Sequence, residues 1–224
     1  YYKNGKLQIL VATQESIYAI DRLGNSLPGY PVQISNEKIT HLNLVDYDQN
    51  RDYRLFVATT KGNLWLLDKS GKPLEGWNPL LLGTQVLSEP AHIRVPGKGD
   101  FMTAQGQNGN FYLFNRRGEK QTGSPLDFKA EINTPLKVTT DGAGSLKISG
   151  ISSTGELIRG NFGGEITYRN QLVKENRDDR FELVADGKGG SFWIVVRQFN
   201  QTKIFDEAEK LLFTIPQSGD LILE

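Results

Sequence analysis

Oxygen-bearing side chains alternate along one short polar stretch, "DYDQNRDYRL", at residues 46–55. The alternating positions are Asp46, Asp48, Asn50 and Asp52. Carboxylate and amide oxygens presented together in a turn are the ligands that a hard cation such as Ca²⁺ requires. Arg51 and Arg54 stand in the same stretch, oppose metal affinity and offer partners for the carboxylates. The stretch therefore predicts either a calcium site made by these four residues or an ion-paired structural turn.

The two histidines, His41 and His92, carry a weaker signal. Both lie in apolar runs predicted to be first strands of a repeat, where a packed or hydrogen-bonded ring explains them. No His-Glu-x-x-His motif points to zinc, no Gly-x-Ser-x-Gly elbow marks a nucleophile, and no carboxylate pair is marked for glycoside cleavage. The residues of a catalytic triad come together in space, so their order in the chain alone neither shows nor excludes a triad. We expect no catalytic residue and no enzyme.

The amino-acid composition limits the kinds of molecule that the chain is expected to bind. The 26 basic and 26 acidic residues leave no net charge, so we expect no nucleic-acid partner. The chain has no cysteine and hence no disulfide or Cys-ligated metal. No apolar run approaches the roughly 18 residues of a membrane span. The chain begins "YYKNGKLQIL" without Met, and we interpret it as a piece of a longer protein whose anchor lies outside this segment.

These residues are set in a repeat. The stretch "LWLLDKSGKPLEGWNP" at 64–79 resembles "IYAIDRLGNSLPGYPV", "FYLFNRRGEKQTGSPL", "LIRGNFGGEI" and "TKIFDEAEKLLF" elsewhere in the chain. The turn acid or amide of each copy is Asp21, Asp68, Asn115, Asn161 or Asp206, and the spacings are 47, 47, 46 and 45 residues. This period lies in the range of propeller blades.

Each repeat predicts about four strands. Asp or Asn followed three residues later by Gly is typical of a type I turn that closes a hairpin, as at Gly24, Gly71, Gly118 and Gly164. A second set of turns is marked by Gly62, Gly109 and Gly155, with Asn200 in the fifth copy. The runs between the turns are apolar on both faces, so we expect both faces to be covered. Trp77 follows the Gly of the last turn, and we interpret it as a contact between adjacent blades.

The predicted fold is therefore all-β, a β-propeller of five recognisable four-stranded repeats of about 46 residues. We expect a single propeller region over 1–224, with blades at about 1–36, 37–86, 87–131, 132–176 and 177–219. Residues 220–224 either close a five-bladed ring beside "LQILVAT" or open a further blade. We favour an arc of a six- to eight-bladed propeller over the closed ring.

The repeat is similar to that of bacterial quinoprotein-like and FG-GAP-like propellers. More narrowly, "YYKNGKLQIL", "DRLGNSLPGYPV", "DYDQNRDYRLF" and "PAHIRVPGKGDF" look like the propeller part of a large uncharacterised protein family of Bacteroidetes. That resemblance implies an envelope protein, on the periplasmic or surface side, with an amino-terminal anchor and further repeats before Tyr1. It implies no known activity.

The resemblance also bears on ligands. FG-GAP calcium loops resemble Asp-x-Asp-x-Asp-Gly with a further acid at the ninth position, where this chain has Arg51 and Arg54. The cysteine pair found near pyrroloquinoline quinone in many quinoproteins has no counterpart here, so we expect no cofactor apart from calcium. The sequence favours a non-catalytic interaction scaffold that binds a protein or an envelope component. The alternative is a glycan- or ligand-binding module assisted by calcium.

Overall fold

The computed structural model describes residues 5–34, 36–140, 143–187 and 190–216. All regular structure in these residues is β, with eighteen strands arranged in five antiparallel sheets. The segment "DEAEKLLF", which has a helix-like composition, forms a turn and the start of a strand, as the repeat predicts. The strand-forming runs are rich in β-branched and aromatic residues, which fit a pleated surface packed on both sides.

The strands follow the order of the repeats. The first sheet has β1 (Ile9–Ala12), β2 (Ser16–Ile20) and β3 (Val32–Gln33). The second has β4 (Ile39–Val45), β5 (Arg54–Thr59), β6 (Asn63–Leu67) and β7 (Leu80–Leu81). The third has β8 (Ala91–Val95), β9 (Gly99–Gln105) and β10 (Phe111–Phe114).

The last two sheets have four strands each. The fourth sheet has β11 (Lys137–Thr140), β12 (Leu146–Ile151), β13 (Glu156–Asn161) and β14 (Ile166–Gln171). The fifth has β15 (Arg180–Ala185), β16 (Phe192–Gln198), β17 (Gln201–Phe205) and β18 (Leu211–Ile215). In every sheet, strands that are consecutive in the chain are neighbours in space, so short local hairpins build the whole fold.

The predicted Asp-x-x-Gly turns are confirmed. In the second repeat the Gly71 N–H donates to the carbonyl of Asp68 at 3.0 Å, and the Asp68 carboxylate accepts the Ser70 and Lys72 N–H groups. The same turn hydrogen bond recurs in the other four copies, with Glu209 in place of glycine in the fifth. The fourth residue of each turn has a positive φ, which glycine adopts without strain. The period read from the sequence is therefore a period of hairpin turns.

The described chain forms two compact units. Unit 1 comprises the described residues up to Arg94 together with Lys98–Gln107 and Phe111–Ser124. Within it, one core cluster contains Ile17, Val32 and Val57, from the first and second sheets. Another contains Phe56, Trp77 and Phe114, from the second and third. Unit 2 comprises Val95–Gly97, Asn108–Asn110 and the described residues from Pro125 onward, and its core includes Leu157, Phe181 and Ile194.

Trp77 makes the contact between sheets that the sequence predicted. Its side chain is fully buried, and its ring meets Phe56 and Phe114 edge to face at centroid distances of 5.4 and 5.7 Å. The indole Nε1–H donates to the carbonyl of Arg116 at 2.9 Å. At the matching position of the first repeat, the Tyr30 hydroxyl donates to the carbonyl of Lys69 at 3.0 Å. Each aromatic side chain thus donates a hydrogen bond to a backbone carbonyl in the next repeat. The acceptor is in both cases the residue directly after the turn acid or amide.

The expectation that both faces of every strand are covered is wrong for β1, β14 and β18. Strands such as β5 and β9 are buried on both faces, but Ile9 and Val11 of β1 are 56% and 44% exposed. Leu10 packs against the core between the first and second sheets, whereas its neighbours Ile9 and Val11 do not. The other two tryptophans, Trp65 in β6 and Trp193 in β16, are half-buried.

The alternatives for ring closure depended on residues 220–224, which lie outside the described residues. The predicted strand tail at Tyr1 to Lys3 lies outside them as well.

Candidate functional site

The acidic loop, Asp46–Arg54, connects β4 to β5 and is fixed by its own side chains. The Asp46 carboxylate accepts the backbone N–H groups of Asn50 at 3.1 Å and Arg51 at 2.9 Å. The Asn50 side-chain oxygen accepts the N–H of Asp52 at 2.8 Å. Arg51 has a φ of 63°, a left-handed conformation that these bonds hold in place. Two of the four predicted ligands therefore shape the loop backbone.

The other two predicted ligands are in ion pairs. Asp48 pairs with Arg116 at 2.8 Å, and Asp52 pairs with Arg54 at 3.0 Å and Lys69 at 3.4 Å. Burial raises the pKa of Asp52, but the charges and hydrogen bonds of Arg54 and Lys69 outweigh it, and the pKa lies below its ordinary value. The pairing of an arginine within the stretch with one of its carboxylates is the arrangement that the sequence offered as the alternative to calcium.

The described residues contain no group of three or more histidine or acidic side chains arranged to hold a metal ion. Amide and carbonyl oxygens also bind calcium, so the proposal that Asp46, Asp48, Asn50 and Asp52 hold this ion stays a prediction. Calcium at this loop would compete with the arginines and Lys69 for Asp48 and Asp52, and with two backbone donors for Asp46.

A second acid, Asp100 at the start of β9, forms the centre of a network beside this loop. Its carboxylate accepts from His92 Nε2 and from Arg94 Nε, both at 2.8 Å, and from an Nη of Arg116. His92 and Arg94 alternate along β8, and Arg116 lies in the turn after β10. Only 9% of the Asp100 side chain is exposed. The third sheet thus gathers three basic side chains around one nearly buried carboxylate.

The charge of Asp100 is strongly stabilised. Burial alone raises the pKa of this carboxyl, but hydrogen bonds from Arg94, His92 and Arg116, with the charge of Arg116, lower it to about 2. The pKa of Arg116 is raised: burial lowers it, but its bonds to Asp100 and Asp48 outweigh that effect. Asp100, at the centre of this cluster, is therefore ionised at neutral pH and accepts hydrogen bonds.

Tyr47 joins the acidic loop to this network. Its ring is buried, and the guanidinium carbons of Arg116 and Arg54 lie over it at 4.1 and 5.3 Å from the centroid. The Tyr47 carbonyl accepts from Arg94 and, at 3.4 Å, from Arg116. Arg116 therefore contacts Asp48, Asp100 and the Tyr47 ring at once. The acidic loop is held against the third sheet by side chains from β8, β9 and the turn after β10.

The two histidines occupy the roles that the sequence predicted. His92 bonds to Asp100, and His41 Nδ1 lies 3.1 Å from the Thr40 hydroxyl. Burial lowers the pKa of His41, and the nearby charge of Glu89 only partly opposes this effect. Both rings lie in the first strands of their repeats, β4 and β8.

Asp100, Arg94 and Arg116 were not predicted from the sequence. One local signal existed, since His92 and Arg94 alternate on β8 and the "PGKGD" turn returns the chain to Asp100 on the neighbouring strand. Arg116 carried no local signal, because it lies 68 residues from its partner Asp48. Chemically, the arrangement holds a loop: its charges face one another, and each carboxylate accepts bonds from neighbouring groups of the protein.

No protein-family model matches the chain, and no curated protein matches it by sequence. Solved structures do match. BBS1N, crystallised in complex with ARL6DN, is similar with a TM-score of 0.62 and 16% identity, over 94% of this chain and 64% of that one. BamB from Moraxella catarrhalis gives 0.57 and 14%, over 95% and 59%. A protein of unknown function from Bacteroides caccae gives 0.50 and 11%, over 94% and 73%.

At such identities the likeness shows the fold alone. The neighbours are β-propellers, and the chain has a β-propeller fold built of five repeated antiparallel sheets. The chain spans less than two thirds of the length of BBS1N and of BamB. In the described residues, no helix is long and apolar enough to cross a membrane.

Proposed function

We propose that this chain is a non-catalytic β-propeller domain that binds a protein or another component of the bacterial cell envelope. This proposal is based on how the polar cluster around Asp100 is bonded. Its charged groups are bonded to one another and to the backbone of the acidic loop. Groups committed in this way position a surface, whereas a general base or nucleophile needs room for a substrate beside it.

Rigidity favours binding because a preformed surface loses little conformational entropy when a partner docks. Side chains restrain the backbone of the acidic loop at four residues, Tyr47, Asn50, Arg51 and Asp52. Leu44, two residues before the loop, is 48% exposed. An exposed apolar residue beside a rigid charged loop is a common composition for a protein contact.

The fold is compatible with this role, since BBS1N was crystallised in complex with ARL6DN. Residues 1–224 are proposed as a single propeller region, and the envelope location and anchor rest on the sequence resemblance to the Bacteroidetes family. The proposal includes no cofactor and no catalytic residue.

The experiment is site-specific photo-crosslinking in cells that express the full-length protein. A photoreactive phenylalanine analogue replaces Leu44 or, as the control, Phe199, which is 87% exposed in unit 2. We expect a discrete protein adduct from position 44 and none from position 199. The captured protein is then purified, and binding to the full chain is measured directly. No adduct above background, or the same adducts from both positions, would overturn the proposal.

A further inference from the structure

The hairpin between β9 and β10 has an Asn-Gly pair at its tip. Asn108 and Gly109 are followed by Asn110, and β10 begins at Phe111. Asn108 is exposed, and Gly109 has a φ of 79°. Asn followed by Gly is typical of tight turns, because both residues tolerate a left-handed backbone. The pair is also chemically labile, since glycine has no side chain to shield its backbone nitrogen from the amide before it.

The side chain of Asn108 is folded back along this turn. Its Oδ1 accepts the backbone N–H of Asn110 at 3.2 Å, so the bond spans Gly109. A donor at Oδ1 stabilises the negative charge that this oxygen gains when a nucleophile adds to the amide carbon. The turn therefore holds the side-chain amide beside a backbone nitrogen and supplies a donor for the charge that develops.

The backbone nitrogen of Gly109 is less restrained than its counterparts in two other repeats. At the matching turns, the N–H groups of Gly62 and Gly155 donate to the carbonyls of the residues three positions earlier, at 2.9 and 3.0 Å. Among the described residues, the N–H of Gly109 makes no such backbone bond. This nitrogen can approach the neighbouring amide without first breaking a hydrogen bond of the hairpin.

We propose that Asn108 is a site of spontaneous deamidation in the folded protein. The Gly109 nitrogen loses its proton to solvent and forms a bond to Cγ of Asn108. The bond from Cγ to the side-chain nitrogen breaks, and that nitrogen takes up a proton and leaves as ammonia. Water then opens the succinimide ring at either of its two carbonyl carbons. The products are aspartate and isoaspartate, each with one new negative charge, and water is the only co-reactant.

The isoaspartate product changes the hairpin tip more than aspartate does, because its backbone runs through the side-chain carbon and is one atom longer. Gly109 is buried, and a Cβ at this position would lie 3.3 Å from the carbonyl oxygen of Ala130. The tip therefore has little room for a longer backbone. We expect the isoaspartate form to have a lower melting temperature than the Asn108→Asp variant, which carries the same charge.

Asn176 offers a matched comparison elsewhere in unit 2. It is exposed, and its Oδ1 accepts the backbone N–H of Asp178 at 3.1 Å, as the Oδ1 of Asn108 does two residues on. The residue after it is Arg177, whose side chain crowds the backbone nitrogen. The two turns thus share the hydrogen bond and the exposure and differ in the residue that supplies the attacking nitrogen.

The experiment incubates the full chain in neutral buffer at physiological temperature and follows each asparagine by peptide mapping with mass spectrometry. We expect Asn108 to lose its amide at least about tenfold faster than Asn176. The rate should rise with pH, because the attacking nitrogen must lose its proton. In heavy-oxygen water the product should gain one heavy oxygen atom, and an isoaspartate methyltransferase should label it. The other Asn-Gly pair of the sequence, Asn4 and Gly5, maps to a separate peptide.

Two substitutions test the role of glycine. Gly109→Ala should slow the reaction at Asn108 at least about fivefold, but it also strains a left-handed turn. Arg177→Gly should speed the loss of the Asn176 amide by at least about the same factor. The side chain of Arg177 is 93% exposed, so this second variant tests the chemistry in a chain whose third hairpin is unchanged.

Three results would overturn the proposal. Equal rates at Asn108 and Asn176, with no change at Asn176 in the Arg177→Gly variant, would remove the role of glycine. A product that contains aspartate and no isoaspartate would show direct hydrolysis in place of a succinimide. Reaction of Asn108 in urea, with none in the folded chain, would show that the fold protects this turn.

Discussion

Asp100 is the residue in which the electrostatics of unit 1 are most concentrated. Three basic side chains donate to one carboxylate of which only 9% is exposed. Removing the carboxylate charge would leave Arg94 and Arg116 close together without their shared counter-ion. The loss of folding stability from such a change is usually larger than the net contribution of the ion pair, because the remaining charges stay partly buried.

The lowered pKa of Asp100 predicts a specific pH dependence. A pKa of about 2 in the folded protein, against an ordinary 3.8, means that the stabilisation is complete above about pH 4 and is lost as the pH falls toward 2. The shift corresponds to roughly 2 kcal/mol. Asp100→Asn should therefore lower the free energy of unfolding by roughly that amount or more at pH 7, and the difference from wild type should shrink below pH 4.

Urea unfolding at pH 7 and at pH 3 measures this difference. Asp178→Asn is the control, because its carboxylate is 70% exposed and lies 3.8 Å from Arg177. Its effect should stay below about 0.5 kcal/mol at both pH values. A loss for Asp100→Asn that is the same at pH 3 as at pH 7 would show that packing, and not charge, accounts for it.

At the scale of elements, the hairpin turns of the second and third repeats also pack against the preceding repeat. Gly24 and Gly71 hold the same place in two copies of the turn and have the same φ of 86°. A Cβ at Gly24 would meet no atom within 4 Å, whereas one at Gly71 would lie 2.3 Å from Cγ2 of Val32. Val32 is buried in the core between the first and second sheets. The two glycines therefore separate conformational strain from close packing.

Gly24→Ala and Gly71→Ala form a matched pair of substitutions. Gly24→Ala should cost about 1 kcal/mol, the strain of alanine in a left-handed conformation. Gly71→Ala should cost a further 1–3 kcal/mol, roughly, because Val32 must move within a packed core. Chemical denaturation of both variants measures the difference. Equal losses would mean that the turn does not pack against the first sheet as described.

The elements were largely predictable from the sequence, and the site was not. The turn from Asp68 to Gly71 depends on four consecutive residues, and Trp77 has a counterpart at Tyr30 one repeat earlier. The local sequence and the repeat period were therefore enough to predict both the turns and the contact made by Trp77. The bonds that fix the acidic loop come from Arg94 and Arg116, which are distant in sequence. Their contacts depend on how the third sheet packs, and no spacing rule encodes this.

The exposed face of β1 shows another limit of sequence patterns. "LQILVAT" has the same apolar character as "RLFVATT", yet Ile9 is 56% exposed and the matching residue Leu55 is 2% exposed. An apolar run predicts a strand that can be covered on both faces, but the neighbour that covers it belongs to another part of the fold.

At the scale of the whole molecule, the chain is a repeated scaffold, and the charged groups around Asp100 are bonded to one another. The chain has equal numbers of acidic and basic residues, and the largest described cluster of them fixes the acidic loop. The acidic loop is a preformed surface, held by the protein's own hydrogen bonds and ion pairs. The calcium hypothesis predicts the opposite, because a metal-binding loop becomes ordered when the ion binds.

Hydrogen exchange of the loop amides in the free protein distinguishes the two most directly. The N–H groups of Asn50, Arg51 and Asp52 all donate to side-chain oxygens of the loop. We predict that these amides exchange more slowly than unstructured amides, and equally so in millimolar calcium and in EDTA. Exchange at the unstructured rate in EDTA that slows on addition of calcium would contradict a preformed loop and support a calcium site at Asp46, Asp48, Asn50 and Asp52.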